Sequence, residues 1–236
     1  MMTTQDFLQQ LDARIAKYDL LCHPFYKAWS AGQLTRDDLR EYASDYFHHV
    51  DAFPTYLGEF ADRLEEGKLR RAVLANMKDE LGNAGEKGER PHSELWLDFA
   101  EGMGGSRAVT GHEPVGEVKA LVASFREFAR EGSAEEALAA FYAYESQVPR
   151  VAQEKARGLR EMYGADEKTC SYFTLHATAD VFHSQVWKRQ LANIIEEIPE
   201  GNPAAAEKAL NAAEATAKAL WIALDGIEAR RVAKAA

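Results

Sequence analysis

The chain has 236 residues, and its 28 Lys and Arg against 38 Asp and Glu give a formal charge of -10 at pH 7. Basic residues dominate binding to a phosphate backbone, so this surplus of acidic groups argues against a nucleic-acid partner. No segment approaches the roughly 18 consecutive apolar residues of a membrane helix. The first ten residues also lack the charged and then apolar pattern of a secretory signal.

Two further features of the composition indicate the compartment and the fold class. Cys22 and Cys170 are the only cysteines, which favours a reducing cytoplasm and no disulfide framework. Val, Ile and Thr are scarce, whereas the helix-forming residues Ala, Leu, Glu, Lys and Arg are abundant. The sequence therefore predicts an all-α protein without a membrane partner, and we expect one domain over residues 1–236.

Apolar periodicity predicts seven to nine helices in a single bundle, joined mostly by short loops. Thr3, Thr35 and Ser133 each stand three residues before a carboxylate, which is typical of a helix start. Gly and Pro cluster in the predicted connections Gly82–Pro91 and Gly102–Pro114. The predicted helices span residues 4–18, 24–29, 35–65, 66–81, 91–101, 114–130, 134–163, 167–198 and 203–234. The last of these is expected to be exposed and to offer a surface for a homodimer.

Two long predicted helices contain a proline, Pro54 in 35–65 and Pro149 in 134–163. Each proline removes a backbone donor and is expected to kink its helix. A kinked helix opens space inside a bundle, which is where metal and cofactor sites are built. The alternative is that both prolines only curve their helices around an ordinary core.

The sharpest local pattern is His176, Asp180 and His183 in the predicted helix 167–198. At about 100° per residue these three side chains lie within roughly 60° of arc on one helix face. Two imidazoles and a carboxylate on one stripe suit iron, manganese or zinc, and the mixed nitrogen and oxygen donors favour iron or manganese. The alternative is one hydrogen-bonded core histidine with the other two side chains in solvent.

Neighbouring helices must supply further carboxylates or imidazoles if this stripe binds one or two metal ions. Glu145 lies in the apolar and aromatic run 141–146, where a carboxylate is costly unless it is paired or bound to metal. Glu80 lies near the end of an apolar-periodic segment and is an equally good surface residue. His92 follows Glu89 with the Glu-x-x-His spacing of ferritin-like proteins, but that motif should occur twice, and Pro91 disrupts this copy.

Three segments carry a resemblance to a known family: 23–57, 142–159 with its Tyr-Glu-Ser-Gln-x-Pro-Arg run, and 172–185 with its His-x3-Asp-x2-His run. They resemble the Chlamydia protein associating with death domains and its bacterial relatives. These proteins belong to the heme-oxygenase-like superfamily, alongside pyrroloquinoline-quinone synthase and the TenA thiaminases. The resemblance covers nearly the whole chain and implies a seven-helix bundle that holds two metal ions.

The resemblance also implies a set of metal ligands and reactive residues. Family members are implicated in making para-aminobenzoate for folate by an oxygen-dependent route that consumes the protein's own tyrosine. Tyr26 matches that tyrosine, and Lys155 matches the lysine proposed to give up its amino nitrogen. Tyr144 matches an aromatic residue of the family's site and is a candidate relay for an electron or radical. The implied metal ligands are Glu80, His92, Glu145, His176, Asp180 and His183.

The implied chemistry is coherent because a tyrosine ring with its Cβ already contains the carbon skeleton of para-aminobenzoate. Cleavage of Cα–Cβ, oxidation of Cβ and exchange of the phenolic oxygen for nitrogen complete the product. Acid–base side chains cannot carry out that oxidation, whereas redox metals can. The implied cofactors are a dinuclear Fe or Mn/Fe centre, dioxygen as co-substrate and an external reductant, with no external organic substrate.

Each reactive residue has an ordinary structural alternative. From the residues alone, Tyr26 is expected to be a packing tyrosine on a short helix. Lys155, ten residues after Glu145, is expected to be a solvated surface lysine unless the Pro149 kink or a cavity brings it inside. Two other functions stay open from the sequence. One is a multiple-turnover oxidase or oxygenase that acts on an external small molecule, and the other is a non-catalytic helical interaction module.

Overall fold

Ten α-helices and no strand occur in the residues that the computed structural model describes, which are 2–82, 89–197 and 203–235. Short 3-10 turns lie at Leu20–Cys22 and Val109–Gly111. The prediction of an all-α fold is confirmed. In chain order the helices are α1 (Thr4–Ala16), α2 (Pro24–Ser30), α3 (Arg36–Ala61), α4 (Lys68–Leu81), α5 (His92–Gly102), α6 (Gly116–Arg130), α7 (Ala134–Glu145), α8 (Val148–Tyr163), α9 (Glu167–Glu197) and α10 (Pro203–Ala235).

The three predicted capping signals all form, and they fix where α1, α3 and α7 begin. The side chains of Thr3, Thr35 and Ser133 each accept a hydrogen bond from a backbone N–H three residues on, and the carboxylate there accepts one in return. These reciprocal bonds satisfy donors that the first helical turn otherwise leaves free.

The predicted continuous helix 134–163 is wrong, because the chain breaks at Ser146 and Gln147 and forms α7 and α8. Pro149 lies in the first turn of α8 and does not kink a longer helix. A proline is tolerated there because backbone N–H groups in the first helical turn have no intrahelical acceptor, so the missing N–H costs no hydrogen bond. Glu145 is consequently the last residue of α7. Pro54, in contrast, lies inside the continuous helix α3.

The helices that matter for the site surround α9. This helix packs against α5, α7 and α8, and α3 packs against α4, α5 and α6. The expectation of an exposed final helix is wrong, since α10 packs against α7, α6 and α1 and buries one face. A homodimer stays a prediction.

Part of the predicted loop Gly82–Pro91 and the connection before α10 lie outside the described residues, at 83–88 and 198–202. Within the described part of the chain, no helix is long and apolar enough to cross a membrane.

Candidate metal centre

The six predicted ligands lie together in the interior, where α4, α5, α7 and α9 meet. None of their side chains is more than 6% exposed. Glu80 comes from α4, His92 from the first turn of α5 and Glu145 from the end of α7, while α9 supplies the remaining three. The alternative of a surface Glu80 is therefore wrong.

Two sets of three side chains offer ligand atoms that lie within 4.8 Å of one another. One set is Glu80, His92 and His176, and the other is Glu80, Glu145 and His183. Both sets include Glu80, so its carboxylate lies between them. Two adjoining groups of nitrogen and oxygen donors that share one carboxylate suit a pair of metal ions such as iron or manganese.

The contact between Glu80 and His92 supports a cation in the first set. Nδ1 of His92 lies 2.8 Å from Oε2 of Glu80, yet this nitrogen lacks a partner with hydrogen-bond geometry among the described residues. Two atoms at this distance without a well-aligned hydrogen are expected when both lone pairs point toward a shared ion. The site residues therefore fit a metal ion.

Backbone geometry explains how Glu80 and His92 meet although eleven residues separate them. Gly82 ends α4 with a φ of 70°, in the left-handed region. A Cβ at this glycine would lie 2.6 Å from the carbonyl carbon of Arg90. The end of α4 is therefore in close backbone contact with the residues just before α5. This contact brings Glu80 near His92.

Asp180 belongs to neither set of three and contacts His183 instead. Nδ1 of His183 lies 3.2 Å from Oδ1 of Asp180, and its Nε2 lies 3.2 Å from Oδ2 of Asp79. Burial alone would lower the pKa of His183, but the carboxylates around it outweigh burial and raise the pKa to about 9. The ring therefore carries a proton at neutral pH in the metal-free protein, and a bound metal ion would displace it.

Glu145 is a buried carboxylate that a bound cation would stabilise. Nδ2 of Asn76 donates to its Oε1 at 3.0 Å, and the indole N–H of Trp187 donates to its Oε2. Burial, followed by the nearby charge of Asp180, raises the pKa of Glu145 well above its usual value. Two neutral donors orient this carboxylate but do not balance its charge, so a bound cation would stabilise it.

His176 is held in one tautomer. Its Nδ1–H donates to the backbone carbonyl of Tyr172 at 2.7 Å, which leaves Nε2 as the free ligand atom. Its ring also stacks on the Tyr172 ring, with 4.0 Å between centroids. Burial lowers the pKa of His176, so the ring is neutral, as a metal ligand requires.

A second buried cluster joins Tyr26 of α2 and Lys155 of α8. Nζ of Lys155 donates to the hydroxyl of Tyr26 at 2.8 Å and to that of Tyr42 at 2.5 Å. The two hydroxyls lie 3.0 Å apart. Burial lowers the pKa of Lys155 well below its usual value, and burial raises the pKa of Tyr26. Burial therefore favours the unprotonated amine and the protonated phenols in this cluster, and the alternative of a surface lysine is wrong.

Tyr144 is buried at the end of α7, one residue before Glu145. Its ring contacts those of His49, Phe53 and Phe125. Burial raises the pKa of its phenol well above the usual value. The phenol is thus neutral and adjoins the candidate metal centre.

Sequence reasoning missed four polar partners of the site: Tyr42, Asn76, Asp79 and Trp187. Asn76 stands four residues before Glu80, and this spacing, which puts both on one face of α4, was an available signal. Asp79 and Trp187 had no such signal. Tyr42 was assigned to the core, where it does lie, but its hydrogen bonds to Tyr26 and Lys155 depend on how α2, α3 and α8 pack.

Comparisons with known proteins identify the family of this chain. Residues 40–220 match the iron-containing redox enzyme family. The chain is 38% identical to the 4-aminobenzoate synthase of Chlamydia muridarum, over 94% of this chain and 90% of that protein. It is 40% identical to the 4-aminobenzoate synthase of Nitrosomonas europaea, over 96% of this chain and 92% of that protein.

A solved structure supports the fold. A domain of unknown function with a heme oxygenase-like fold from Shewanella denitrificans superposes with a TM-score of 0.78 at 16% identity, over 95% of this chain and 93% of that one. The resemblance in the sequence is confirmed, and so are the enzyme class and the fold. The chain belongs to the iron-containing redox enzyme family and has its heme-oxygenase-like fold.

Proposed function

We propose that this protein makes 4-aminobenzoate from its own Tyr26, with Lys155 as the amino donor. The single observation that carries this proposal is the contact of the buried Lys155 amine with the Tyr26 hydroxyl at 2.8 Å. A buried amine next to a phenol is the arrangement needed to exchange the phenolic oxygen for nitrogen. The names of the relatives at 38% and 40% identity support the same product.

Burial lowers the pKa of Lys155 and so favours the unprotonated, nucleophilic form of its amine. Nζ lies 4.2 Å from the centroid of the Tyr26 ring, so the nitrogen already adjoins the ring that would receive it. Tyr42 accepts a hydrogen bond from the same amine and contacts the Tyr26 hydroxyl. We infer that Tyr42 orients both reacting groups and holds a proton between them.

The metal ligands in this proposal are Glu80, His92, Glu145, His176, Asp180 and His183. A dinuclear Fe or Mn/Fe centre bound there, with dioxygen and an external reductant, would supply the oxidation that side chains cannot perform. His183 would release a proton on metal binding, because its raised pKa of about 9 keeps the ring protonated without the ion. The free thiols of Cys22 and Cys170 support the cytoplasmic location that belongs to this proposal.

The shape of the interior favours a reaction without an external organic substrate. The space bordered by Glu80, Glu145, His176 and Asp180 is narrower than a water molecule. A cleft of about 410 Å³ beside Pro54 reaches Glu80 but none of the other five candidate ligands. An aromatic substrate in that cleft would therefore contact one ligand only.

Intact-mass analysis tests the proposal. The protein is loaded with Fe(II), reduced and exposed to dioxygen, and we expect the mass of the tyrosine side chain to be lost at Tyr26. Protein with Nζ-labelled [15N]lysine should transfer the label to 4-aminobenzoate, and Lys155→Arg should abolish product. Lys27→Arg is the matched control, since Lys27 is an exposed lysine on the same helix as Tyr26.

The competing function is a multiple-turnover oxidase or oxygenase of an external small molecule. A protein of that kind would return from the reaction with an unchanged mass and would form many product molecules per chain. That result would overturn the self-sacrificing reaction. The non-catalytic module is set aside, because the chain belongs to a family of redox enzymes.

A further inference from the structure

The cleft of about 410 Å³ that reaches Glu80 is acidic. It lies between α3 and α4, and it is also lined by Asp51 and Glu59 of α3 and by Asp62, just after that helix. These three positions fall within about 80° of arc on one helix face. Among the described residues, no Lys, Arg or His lines this acidic cleft.

Two of the four carboxylates in the acidic cleft have oxygens that lack a hydrogen-bond donor. Glu80 is 6% exposed, and its neighbour at 2.8 Å, Nδ1 of His92, lacks hydrogen-bond geometry. Oε1 of Glu59 accepts from Arg130 at 2.5 Å, but its buried Oε2 has no partner among the described residues. Buried polar atoms without a protein partner are often satisfied by a bound ion or water. Anionic oxygens favour a cation.

We propose that the acidic cleft captures hydrated Fe(II) from solvent and passes the ion through Glu80 to the metal centre. Asp51 and Asp62 are exposed and would meet the ion first, whereas Glu80 is buried. The proposal rests on the metal centre of the proposed function, but it does not depend on the fate of Tyr26.

The burial of the metal ligands makes an entry route necessary. None of the six candidate ligands is more than 6% exposed, so an incoming ion must exchange its water for protein ligands. Loss of hydration is costly unless other charged or polar groups replace the water. Carboxylate oxygens suit this exchange because they bind divalent cations in place of water. Glu80 belongs to both sets of three candidate ligands, so an ion that reaches it adjoins both.

The walls of the acidic cleft strengthen its attraction for a cation. Val50, Pro54 and Met77 supply apolar surface between the carboxylates. A cleft with charges of one sign and walls of low dielectric focuses the electric field, and this raises association rates by about 10- to 1000-fold. Arg126 and Arg130 contact Glu59, and this offsets part of the field. Asp51 and Asp62 form no ion pair with the described residues, so their charges remain available.

Asp79 marks a competing route. Its side chain is 56% exposed, and its Oδ2 lies 3.2 Å from Nε2 of the candidate ligand His183. This route offers one carboxylate, which is already in contact with a histidine. The acidic cleft offers four carboxylates, and two of them have unpartnered oxygens.

Stopped-flow mixing of the metal-free protein with Fe(II), without dioxygen, tests the proposal. Quenching of tryptophan fluorescence reports arrival of the ion, since Trp187 donates to Glu145. In the Asp51→Asn, Asp62→Asn double variant we expect uptake at low ionic strength to slow about tenfold. Release into excess chelator should slow by the same factor, so the dissociation constant should not change. In 1 M salt, where screening acts beyond about 3 Å, the difference in uptake should shrink.

Two further double variants serve as controls. Asp51→Glu, Asp62→Glu keeps both charges and should take up Fe(II) at nearly the wild-type rate. Glu196→Gln, Glu197→Gln removes two exposed charges from the far end of α9, about 20 Å along the helix from His183. This variant should behave as the wild type does, because its charges lie far from the acidic cleft.

Three results would overturn the entry route. One is uptake at the wild-type rate in the Asp51→Asn, Asp62→Asn variant. Another is slower uptake with unchanged release, because the two carboxylates would then act on the bound ion. The third is slow uptake in Asp79→Asn alone. A wild-type protein that binds no Fe(II) would refute the metal centre itself. Normal uptake followed by an unchanged mass after dioxygen would refute the self-sacrificing reaction and keep the entry route.

Discussion

At the scale of single residues, His49 is a buried histidine whose surroundings strongly oppose its protonation. It is fully buried against the rings of Phe125 and Tyr144, and neither ring nitrogen has a partner among the described residues. Burial lowers the pKa of His49 to about 3. The unfolded chain binds a proton near pH 6.5 and the folded chain does not, so stability falls as pH drops from about 6.5 toward 3.

We expect His49→Phe to reduce the loss of folding stability at low pH. Each pKa unit corresponds to about 1.4 kcal/mol, so the wild-type protein should lose on the order of 2 kcal/mol through His49 between pH 7 and pH 4.5. Urea unfolding at the two pH values measures the difference. His48→Asn is the control, because His48 is only half-buried and bonds to a backbone carbonyl. An unchanged pH dependence in His49→Phe would contradict the assignment.

Asn76 gives a second prediction at this scale. Its side-chain amide donates to Glu145 and fixes the orientation of that carboxylate. Removal of a group that orients a metal ligand typically weakens metal binding by about 10- to 100-fold. We therefore expect Asn76→Ala to weaken Fe(II) binding by that factor, measured by competition with a chelator. Asn193→Ala, at an exposed position on α9, should bind as the wild type does. Equal affinities of the two variants would remove Asn76 from the site.

At the scale of helices, the close approach of α2 to α8 positions Tyr26 beside Lys155. Gly158 permits this approach, because a Cβ there would lie 2.8 Å from Cδ1 of the buried Trp29. Gly158→Ala gains up to about 1 kcal/mol of helix propensity, but overpacking costs about 1–3 kcal/mol. We expect net destabilisation of about 1–2 kcal/mol in urea unfolding, since the Trp29 ring is buried and also packs on Lys155.

Gly58→Ala in α3 is the matched control for this prediction. A Cβ at Gly58 would meet only the flexible Met77 sulfur, at 3.3 Å. We expect this variant to be as stable as the wild type or up to about 1 kcal/mol more stable. A Gly158→Ala protein that behaves like Gly58→Ala would show that the two helices separate without penalty.

Helix ends and the helix face of α9 were predictable from the sequence because both depend on local spacing. Thr35 with Asp38, and His176 with Asp180 and His183, each lie within about two turns. Contacts across helices were not predictable from spacing. The pairing of Lys155 with Tyr42, and that of Trp187 with Glu145, depend on the packing of helices far apart in the chain. The break before Pro149 was missed because a proline fits both a kink and a first turn.

At the scale of the whole molecule, the fold keeps two polar clusters apart within one apolar interior. The carboxylates and imidazoles lie between α4, α5, α7 and α9, and the phenols and amine lie between α2, α3 and α8. Aromatic rings fill the space between them. An exposed radical or amine would react with water or other solutes, so this arrangement explains why a large aromatic core accompanies the site.

The same interior leads to the last prediction, that residues 1–236 unfold as one domain. Buried apolar side chains from α1 through α10 form one contiguous cluster. A helix that unfolded separately would therefore expose part of this cluster to water. Calorimetry should show one transition with equal calorimetric and van't Hoff enthalpies. At about 0.7 kcal/mol per residue the enthalpy near 60 °C should be about 165 kcal/mol. Saturating Fe(II) should raise the transition temperature of that single peak, because the ion binds only the folded chain. Two separate transitions, with only one of them moved by iron, would refute a single domain.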